Sequence, residues 1–319
     1  GREWESIEEI VAVATNGGAR LMPTAPFMHG AAHWLAFNAF TGGNTVVLPS
    51  NTTSLDPADV WTTVQDEKAD ELERTSYDTS SLLLLASGGA ALSAPVKKAF
   101  LEALPDMGIM DGLGASETGQ QASQISGAGA TPTTGTFTPG VGMVIVDEEL
   151  TRVLEGPGTE QGWLAQKGRV PLGYLGDEAK TARTFPVIDG VRYSVPGDRA
   201  RVNDEGLLEL HGRDSVTINS GGEKIFAEEV EAALSHHPAV YDVVVAGRPS
   251  ERWGNEVVAV VQIRPGFSAS LADLLDECEK HIARYKFPKD VVFVDKIVRS
   301  PAGKADYRWA REVATTGLG

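Results

Sequence analysis

Two runs of β-branched residues, YDVVVAG at 241–247 and EVVAVVQI at 256–263, constrain the fold more than any other feature of the chain. Val and Ile suit a pleated surface, and both runs are far too short to cross a bilayer, so each reads as a strand. Around them the order is a glycine turn at 221–222, a helix over about 227–236, the two strands, a helix over about 271–284, the strand VVFVD at 291–295 and a last helix from about 304. This succession is a compact α+β unit of about 100 residues, an ordinary domain size.

Upstream the pattern differs. Residues 1–80 mix helical spacing with short apolar runs, WLAFNAF at 34–40 and TVVLP at 45–49, which predicts α/β layering. The nearly all-polar QDEKADELERTS at 65–76 passes straight into SLLLLASGGA at 81–90, read as a buried strand ending in a glycine turn. Residues 132–212 are rich in Gly and Pro, with short strands at GMVIVDE, VRYSV, ARVND and LLELHG that predict a small antiparallel, barrel-like β-region. The expected architecture is a large α/β N-terminal part over 1–213 that contains this β-region, followed by a small α+β C-terminal domain over 214–319.

Charge excludes two classes of partner. With 44 acidic against 28 basic residues the net charge is −16, which repels nucleic acid and anionic bilayers alike. A single cysteine, Cys278, rules out an internal disulfide and a cysteine-based zinc site, and it reads as a filler of its helix. The acidic start GREWESIEEI is no signal peptide, and no apolar run reaches the length of a transmembrane segment, so the expected location is cytoplasmic.

Several short constellations could carry chemistry. Gly88-Gly89 follows a strand, where missing side chains either admit a flat ligand or simply make a tight turn. DGLGASETG at 111–119 surrounds the carboxylate of Glu117 with small residues and the hydroxyls of Ser116 and Thr118, an oxygen set suited to Mg2+ on a phosphate or to a solvated loop. His29 and His33 stand four apart in PFMHGAAHW without a third metal ligand nearby. Asp198 and Arg213 bracket the last hairpin of the β-region, and either grip a polyhydroxylated ligand or form a structural ion pair. In RSPAGKADY at 299–307 a Pro-Gly turn presents Lys304 at an expected helix start, where the helix dipole disfavours a cation; an anionic partner would explain it, as would plain solvation. Finally, SVTINSGGEKIFAEEVEAAL at 215–234 sets two glycines and a lysine before a helix, yet lacks the first glycine, the spacing and the hydroxyl of a nucleotide-triphosphate P-loop.

The order of these motifs is more specific than any one of them. SGGAAL, GLGASETG, PGD, GRD with SGGEKI, and SPAGK resemble, in that sequence, the adenylate-forming superfamily of acyl-CoA synthetases, luciferases and nonribosomal adenylation domains. The run from GYLGDEAKTARTF to SPAGKADYRWARE resembles most the fatty-acyl and steroid side-chain CoA ligases of actinobacteria. The resemblance implies ATP, Mg2+ and coenzyme A as reactants and cofactor, a hydrophobic carboxylic acid as substrate, and a C-terminal domain that rotates between two half-reactions. Carried over by position, Gly88, Gly89 and Ala90 would line the adenine pocket, Asp111, Gly112 and Leu113 would also bind the cofactor, Ser116 would contact the α-phosphate and Glu117 would hold Mg2+. Asp198 and Arg213 would bind the ribose, and Lys304 would bridge the attacking carboxylate and the phosphate. His29, Trp34 and Phe37 would border the acyl pocket, Ser215 would be the hinge, Gly221 and Gly222 would swing in to leave the pantetheine tunnel, and Lys224 would contact the nucleotide or CoA in that pose. A homodimer also suits the resemblance.

The departures are Leu113 in place of an adenine-stacking aromatic, Pro196 in place of threonine, Ser215 in place of an acidic or basic hinge residue, and Ala227 in place of proline. The Ser/Thr/Gly-rich phosphate loop of the family does not occur in the sequence, and a further segment is expected to be missing between Asp66 and Glu73, so the sequence reads as part of a longer chain. Two rival readings follow: an enzyme that loads a carrier protein rather than CoA, and a non-catalytic remnant that binds a nucleotide or a partner.

Overall fold

The computed structural model describes residues 4–52, 56–66, 79–89, 92–127, 129–300 and 303–317. Contacts divide the chain into two compact units, Gly1–Leu85 and Ala86–Gly319. The first carries helices Ile7–Thr15, Gly30–Thr41 and Pro57–Asp66 and a short parallel strand pair, Arg20–Leu21 with Thr45–Val46. Helix Gly30–Thr41 uses the WLAFNAF run and buries Ala32, Ala36 and Ala39, spaced four and three apart on one stripe. The segment expected to be missing between Asp66 and Glu73 falls at residues 67–78, outside the described residues.

In the second unit one sheet runs in the order Val187–Ile188, Val191–Ser194, Gly162–Lys167, Asp198–Val202, Leu208–Arg213, Thr136–Pro139, Gly119–Ser126, Gly108–Ala115 and Leu84–Gly88. Met143–Val146 joins it beside Gly162–Lys167 and also pairs with Val153–Leu154. From Gly108 to Arg213 the registered pairings are antiparallel, as the alternating runs and glycine turns require. Its inward faces collect Ala122, Phe137, Ile145, Leu154, Leu164, Ala200 and Leu208 in one cluster. The SLLLLASGGA strand departs from expectation. Leu83 is 78% exposed and Leu84 48%, and among the described residues Leu84–Gly88 is the terminal strand of the sheet.

The second sheet holds the two β-branched runs at its centre. Val240–Ser250 and Gly254–Ile263 pair antiparallel along their length, and the free side of Gly254–Ile263 takes both the hairpin Thr217–Ser220 with Glu223–Phe226, at its start, and the parallel strand Asp290–Val294 further along. Successive side chains face opposite ways: Val243 and Val245 enter a cluster with Val230, Leu234 and Leu274, while Val244 and Ala246 enter one with Ala310 and Val313. Helices therefore cover both faces, and each valine removed from water contributes about 1.5–3 kcal/mol.

Two helix boundaries move from their expected places. The helix over 271–284 stops at Cys278, after a capping box in which Ser270 and Asp273 satisfy each other's backbone N–H groups. Ala283 and Phe287 are extended, the latter directly before Pro288, which disfavours helical backbone in the residue it follows. The last helix is Tyr307–Thr316, started by Asp306, whose carboxylate accepts the N–H groups of Arg308 and Trp309, and closed by left-handed Gly317. Lys304 thus lies ahead of the cap rather than in the first turn, and the helix-dipole argument for its charge falls.

Candidate active site

Gly88 ends the strand Leu84–Gly88 and Gly89 follows it, both exposed. Gly89 has φ +83°, a region that side-chain-bearing residues avoid, and a Cβ on Gly88 would stand 3.2 Å from the Gly112 carbonyl oxygen. Ala90 lies outside the described residues. Ser116, Glu117 and Thr118 form the tip of the hairpin between Gly108–Ala115 and Gly119–Ser126. The Thr118 hydroxyl is consumed by the turn: it accepts the Ala115 N–H at 3.0 Å and donates to the Gly119 carbonyl at 2.9 Å. Of the three, Ser116 is exposed and Glu117 half-buried.

Glu117 has a partner that sequence reasoning missed. The Tyr174 hydroxyl donates to Glu117 Oε1 at 2.6 Å. Tyr174 is itself fixed, with its N–H bound to Thr181 Oγ1 at 2.8 Å and the Lys180 ammonium 3.9 Å from its ring centroid. Burial, and then the bond to Glu117, push the phenol above its ordinary range, so it keeps its proton and remains a donor. No local signal marks a tyrosine in GYLGDE as the companion of a carboxylate so far back in the chain.

Asp111 and Leu113 are engaged within the protein. Asp111 Oδ2 lies 2.8 Å from Lys97 Nζ, and both side chains are almost wholly buried. The ammonium also donates to Gln124 Oε1 and, at 2.9 Å, to the Thr133 carbonyl, which uses all three of its protons. Burial raises the Asp111 pKa against the opposing bond and charge of Lys97. Leu113, paired in register with Ala122, packs against the first sheet's core cluster. Gly112, between them, puts its carbonyl oxygen beside Gly88, as above.

Asp198 and Arg213 face each other across their hairpin, with Arg213 Nε donating to Asp198 Oδ1 at 2.9 Å. The carboxylate is buried and the guanidinium half exposed, so the pair is an internal ion pair with an accessible cationic rim. Ser215 follows in the exposed 3-10 turn Asp214–Val216. Glu228 packs against this segment from the helix Ala227–Leu234: a Cβ on Gly212 would meet its Oε2 at 2.7 Å, which explains the glycine. Burial carries the Glu228 carboxyl up to about 7.

Gly221 and Gly222 make the two-residue turn between Thr217–Ser220 and Glu223–Phe226, with φ +61° and +91°. Positive φ at both central positions is what a type I′ hairpin demands, so the backbone alone accounts for both glycines. Lys224 Nζ lies 3.6 Å from Glu148 Oε1. Glu148 also binds the Arg199 guanidinium, which stacks 3.4 Å above the Trp163 ring. The bond from Arg199, foremost, lowers the Glu148 pKa.

The exposed Lys304 is brought to the glycine turn. Its Cε lies 3.8 Å from where a Cβ on Gly89 would stand. In the first unit His29 caps helix Gly30–Thr41 by backbone only, Trp34 and Phe37 are 41% and 58% exposed, and His33 stacks on Phe37 with centroids 4.7 Å apart. Among the described residues no group of three or more His, Cys, Asp or Glu could hold a metal ion, and no helix is long and apolar enough to cross a membrane.

The chain matches the family described as AMP-binding enzyme over residues 4–175 and the AMP-binding enzyme C-terminal domain over residues 229–304. It is 52% identical to the medium-chain acyl-CoA ligase Mig of Mycobacterium avium, over 99% of this chain and 60% of that protein. It is 40% identical to the 3-oxocholest-4-en-26-oate–CoA ligase of Rhodococcus rhodochrous, over 99% of this chain and 59% of that protein. The chain therefore spans about three fifths of the length of the curated relatives it matches. Among solved structures, the anthranilate CoA ligase AuaEII in complex with anthranoyl-AMP superposes with a TM-score of 0.77 at 24% identity, over 93% of this chain and 60% of that one, a likeness of fold. With both family regions matched and this fold around them, the chain belongs to the AMP-binding enzymes of the adenylate-forming superfamily.

Proposed function

We propose that this chain is part of an AMP-forming acyl-CoA ligase that activates a hydrophobic carboxylic acid, a fatty acid or a steroid side-chain acid. One observation carries the reading: Lys304, from the SPAGK motif near the C-terminus, stands over Gly89 of the SGGA turn. The names of the similar relatives support the substrate class, being a medium-chain acyl-CoA ligase and a steroid-acid CoA ligase. The domain assignment, 1–213 in the large nucleotide-binding part and 214–319 as a mobile C-terminal domain, is supported by the apolar clusters, each of which draws on residues from one side of Arg213 only.

In the first half-reaction a carboxylate oxygen of the acid attacks the α-phosphorus of ATP and pyrophosphate leaves. In the second the CoA sulfur attacks the acyl carbon, AMP leaves and the thiol proton passes to solvent. The exposed glycine turn at Gly88 and Gly89 gives a flat base room to approach backbone. Asp198 and the accessible rim of Arg213 suit ribose hydroxyls, and Ser116 suits the α-phosphate. Lys304 neutralises the charge that gathers between the two oxygens in the transition state. The residues fit Mg2+ in the mode of one carboxylate plus substrate phosphates: Glu117, at a hairpin tip and held by Tyr174, would be its ligand, and the bound ion would supply neutralisation of phosphate charge. His29, Trp34 and Phe37 are proposed to border the acyl pocket, and Gly221, Gly222 and Lys224 the passage for pantetheine after a rotation at Ser215. A cytoplasmic location and a homodimer fit this reading.

The test is AMP release by the full-length protein with ATP, Mg2+ and CoA over a panel of medium-chain, long-chain and steroid side-chain acids. Release that depends on both acid and CoA is expected. No AMP across the panel refutes the ligase reading, and acid-dependent AMP formation without any acyl-CoA would favour loading of a carrier protein.

A further inference from the structure

We propose that Arg299 is a positioning residue for Lys304, clamping to the central sheet the turn that carries it; this rests on the reading of Lys304 as the adenylation lysine. The Arg299 guanidinium reaches in two directions. Nε and one terminal nitrogen donate to the two oxygens of Asp242 at 2.7 and 2.6 Å, the planar two-point match that a guanidinium makes with a carboxylate. The other terminal nitrogen donates to the Gly303 carbonyl at 2.9 Å, on the residue directly before Lys304.

Asp242 is a firm anchor. It stands on Val240–Ser250, the strand covered by helices on both faces, and its Oδ1 also accepts the Val243 N–H at 2.8 Å. The turn itself is closed by short-range bonds. Ser300 N–H donates to the Lys304 carbonyl at 2.9 Å, Gly303 N–H to the Ser300 carbonyl at 2.8 Å, and Lys304 N–H to Ser300 Oγ at 3.2 Å. Arg299 and Ala305 form an antiparallel bridge around it. These bonds set the shape of the turn, and the Arg299–Asp242 pair sets its place against the sheet.

The division of labour predicts a kinetic signature rather than a thermal one. Arg299 is about a third exposed, and an ion pair at that exposure adds little to stability. Displacing a catalytic group by about 1 Å, by contrast, costs on the order of 100-fold in rate. A lysine at 299 retains the charge, yet one ammonium cannot reproduce the planar fork on Asp242 together with the bond to Gly303.

The experiment compares half-reactions in the full-length protein carrying Arg299→Lys, Asp242→Asn or Lys304→Ala. Adenylation is followed as ATP–pyrophosphate exchange dependent on a medium-chain fatty acid, and thioester formation as transfer from the supplied acyl-adenylate of that acid to CoA. Arg299→Lys and Asp242→Asn are expected to lower exchange by about 10- to 100-fold while transfer and melting temperature stay at wild-type values. Equal losses in both half-reactions, or no loss in either, overturn the positioning role. Wild-type exchange in Lys304→Ala overturns the adenylation reading itself, an outcome separate from anything the Arg299 variant can show.

Discussion

Replacing Glu231 by Gln should make the protein more stable in alkali, and the structure sets the size of the gain. Glu231 Oε1 accepts the Val245 N–H at 2.8 Å and Oε2 accepts the Tyr307 hydroxyl at 3.2 Å. Burial, with the nearby Glu228 carboxylate adding to it, raises the Glu231 carboxyl from its ordinary 4.5 to about 8. The native state therefore holds a proton that the unfolded chain has already released. Stability from this group is fully present below pH 4.5, is lost as pH rises through about 8, and is flat beyond. A rise of about 3.5 pH units at about 1.4 kcal/mol each sets a ceiling near 5 kcal/mol. The side chain is only half-buried and titrates together with Glu228, which reduces the realistic share to about 1–2 kcal/mol. Glutamine keeps an oxygen for Val245 and offers an N–H to the Tyr307 oxygen, without the charge. Urea unfolding of wild type and Glu231→Gln from pH 5.5 to 9 should give curves that separate as pH rises, with the variant more stable by about 1–2 kcal/mol at the alkaline end. Parallel curves, or a variant weaker at pH 9, would refute the reasoning.

Lys97→Met leaves the buried Asp111 carboxylate without its cation and should cost about 3–5 kcal/mol in urea unfolding, with part of the loss recovered when Asp111→Leu is added. Gly221→Ala meets both a positive φ and a Trp253 ring carbon 2.8 Å from the new Cβ, and should lower stability by about 1–2 kcal/mol by the same measurement. Tyr174→Phe removes the donor that orients Glu117 and should raise the Mg2+ concentration for half-maximal nucleotide binding by about 10- to 100-fold in titration calorimetry, with folding intact.

What the sequence made legible was whatever depends on short-range pattern. The runs at 241–247 and 256–263 could be read as strands because β-branched residues leave the backbone few alternatives, and the ordered glycine motifs pointed to the family before any coordinates. The last helix was placed three residues early because Lys304 and Asp306 are both polar, and only the two N–H groups on Asp306 distinguish cap from approach. The segment NSGGEK reads in the sequence as two glycines and a lysine ahead of a helix, without the spacing of a P-loop. Two glycines between short polar strands also suit a tight hairpin, and the positive φ at both shows that need to be the backbone's own. Lys97 with Asp111, Tyr174 with Glu117 and Glu148 with Lys224 were invisible for a different reason: each pair is made by sheet order and loop placement, which no local spacing encodes.

The proposed rotation of residues 214–319 requires a seam at Arg213 that costs little to part. The apolar cluster around Val245 draws on residues 216–307, and the one around Leu164 on residues 113–210, so neither must be opened for residues 214–319 to turn about Ser215. What crosses is mostly polar: Lys224 with Glu148 at 3.6 Å, Asp214 with Arg199 at 3.8 Å, and Glu228 against Gly212. Lys224 with Glu148 is exposed on both sides, and a pair of that kind contributes about 0–1 kcal/mol because water replaces the partner almost as well; the buried Arg199 keeps its nearer partner Glu148 when Asp214 leaves. The tilted contact of His211 with Phe226, centroids 6.2 Å apart, is the apolar exception, and a single ring pair is worth about 0.5–1.5 kcal/mol beyond its burial. Had the two cores been continuous across Arg213, parting them would expose apolar surface at about 25 cal/mol for every Å². With no apolar cluster shared across Arg213, the cost of the proposed rotation stays small in either direction.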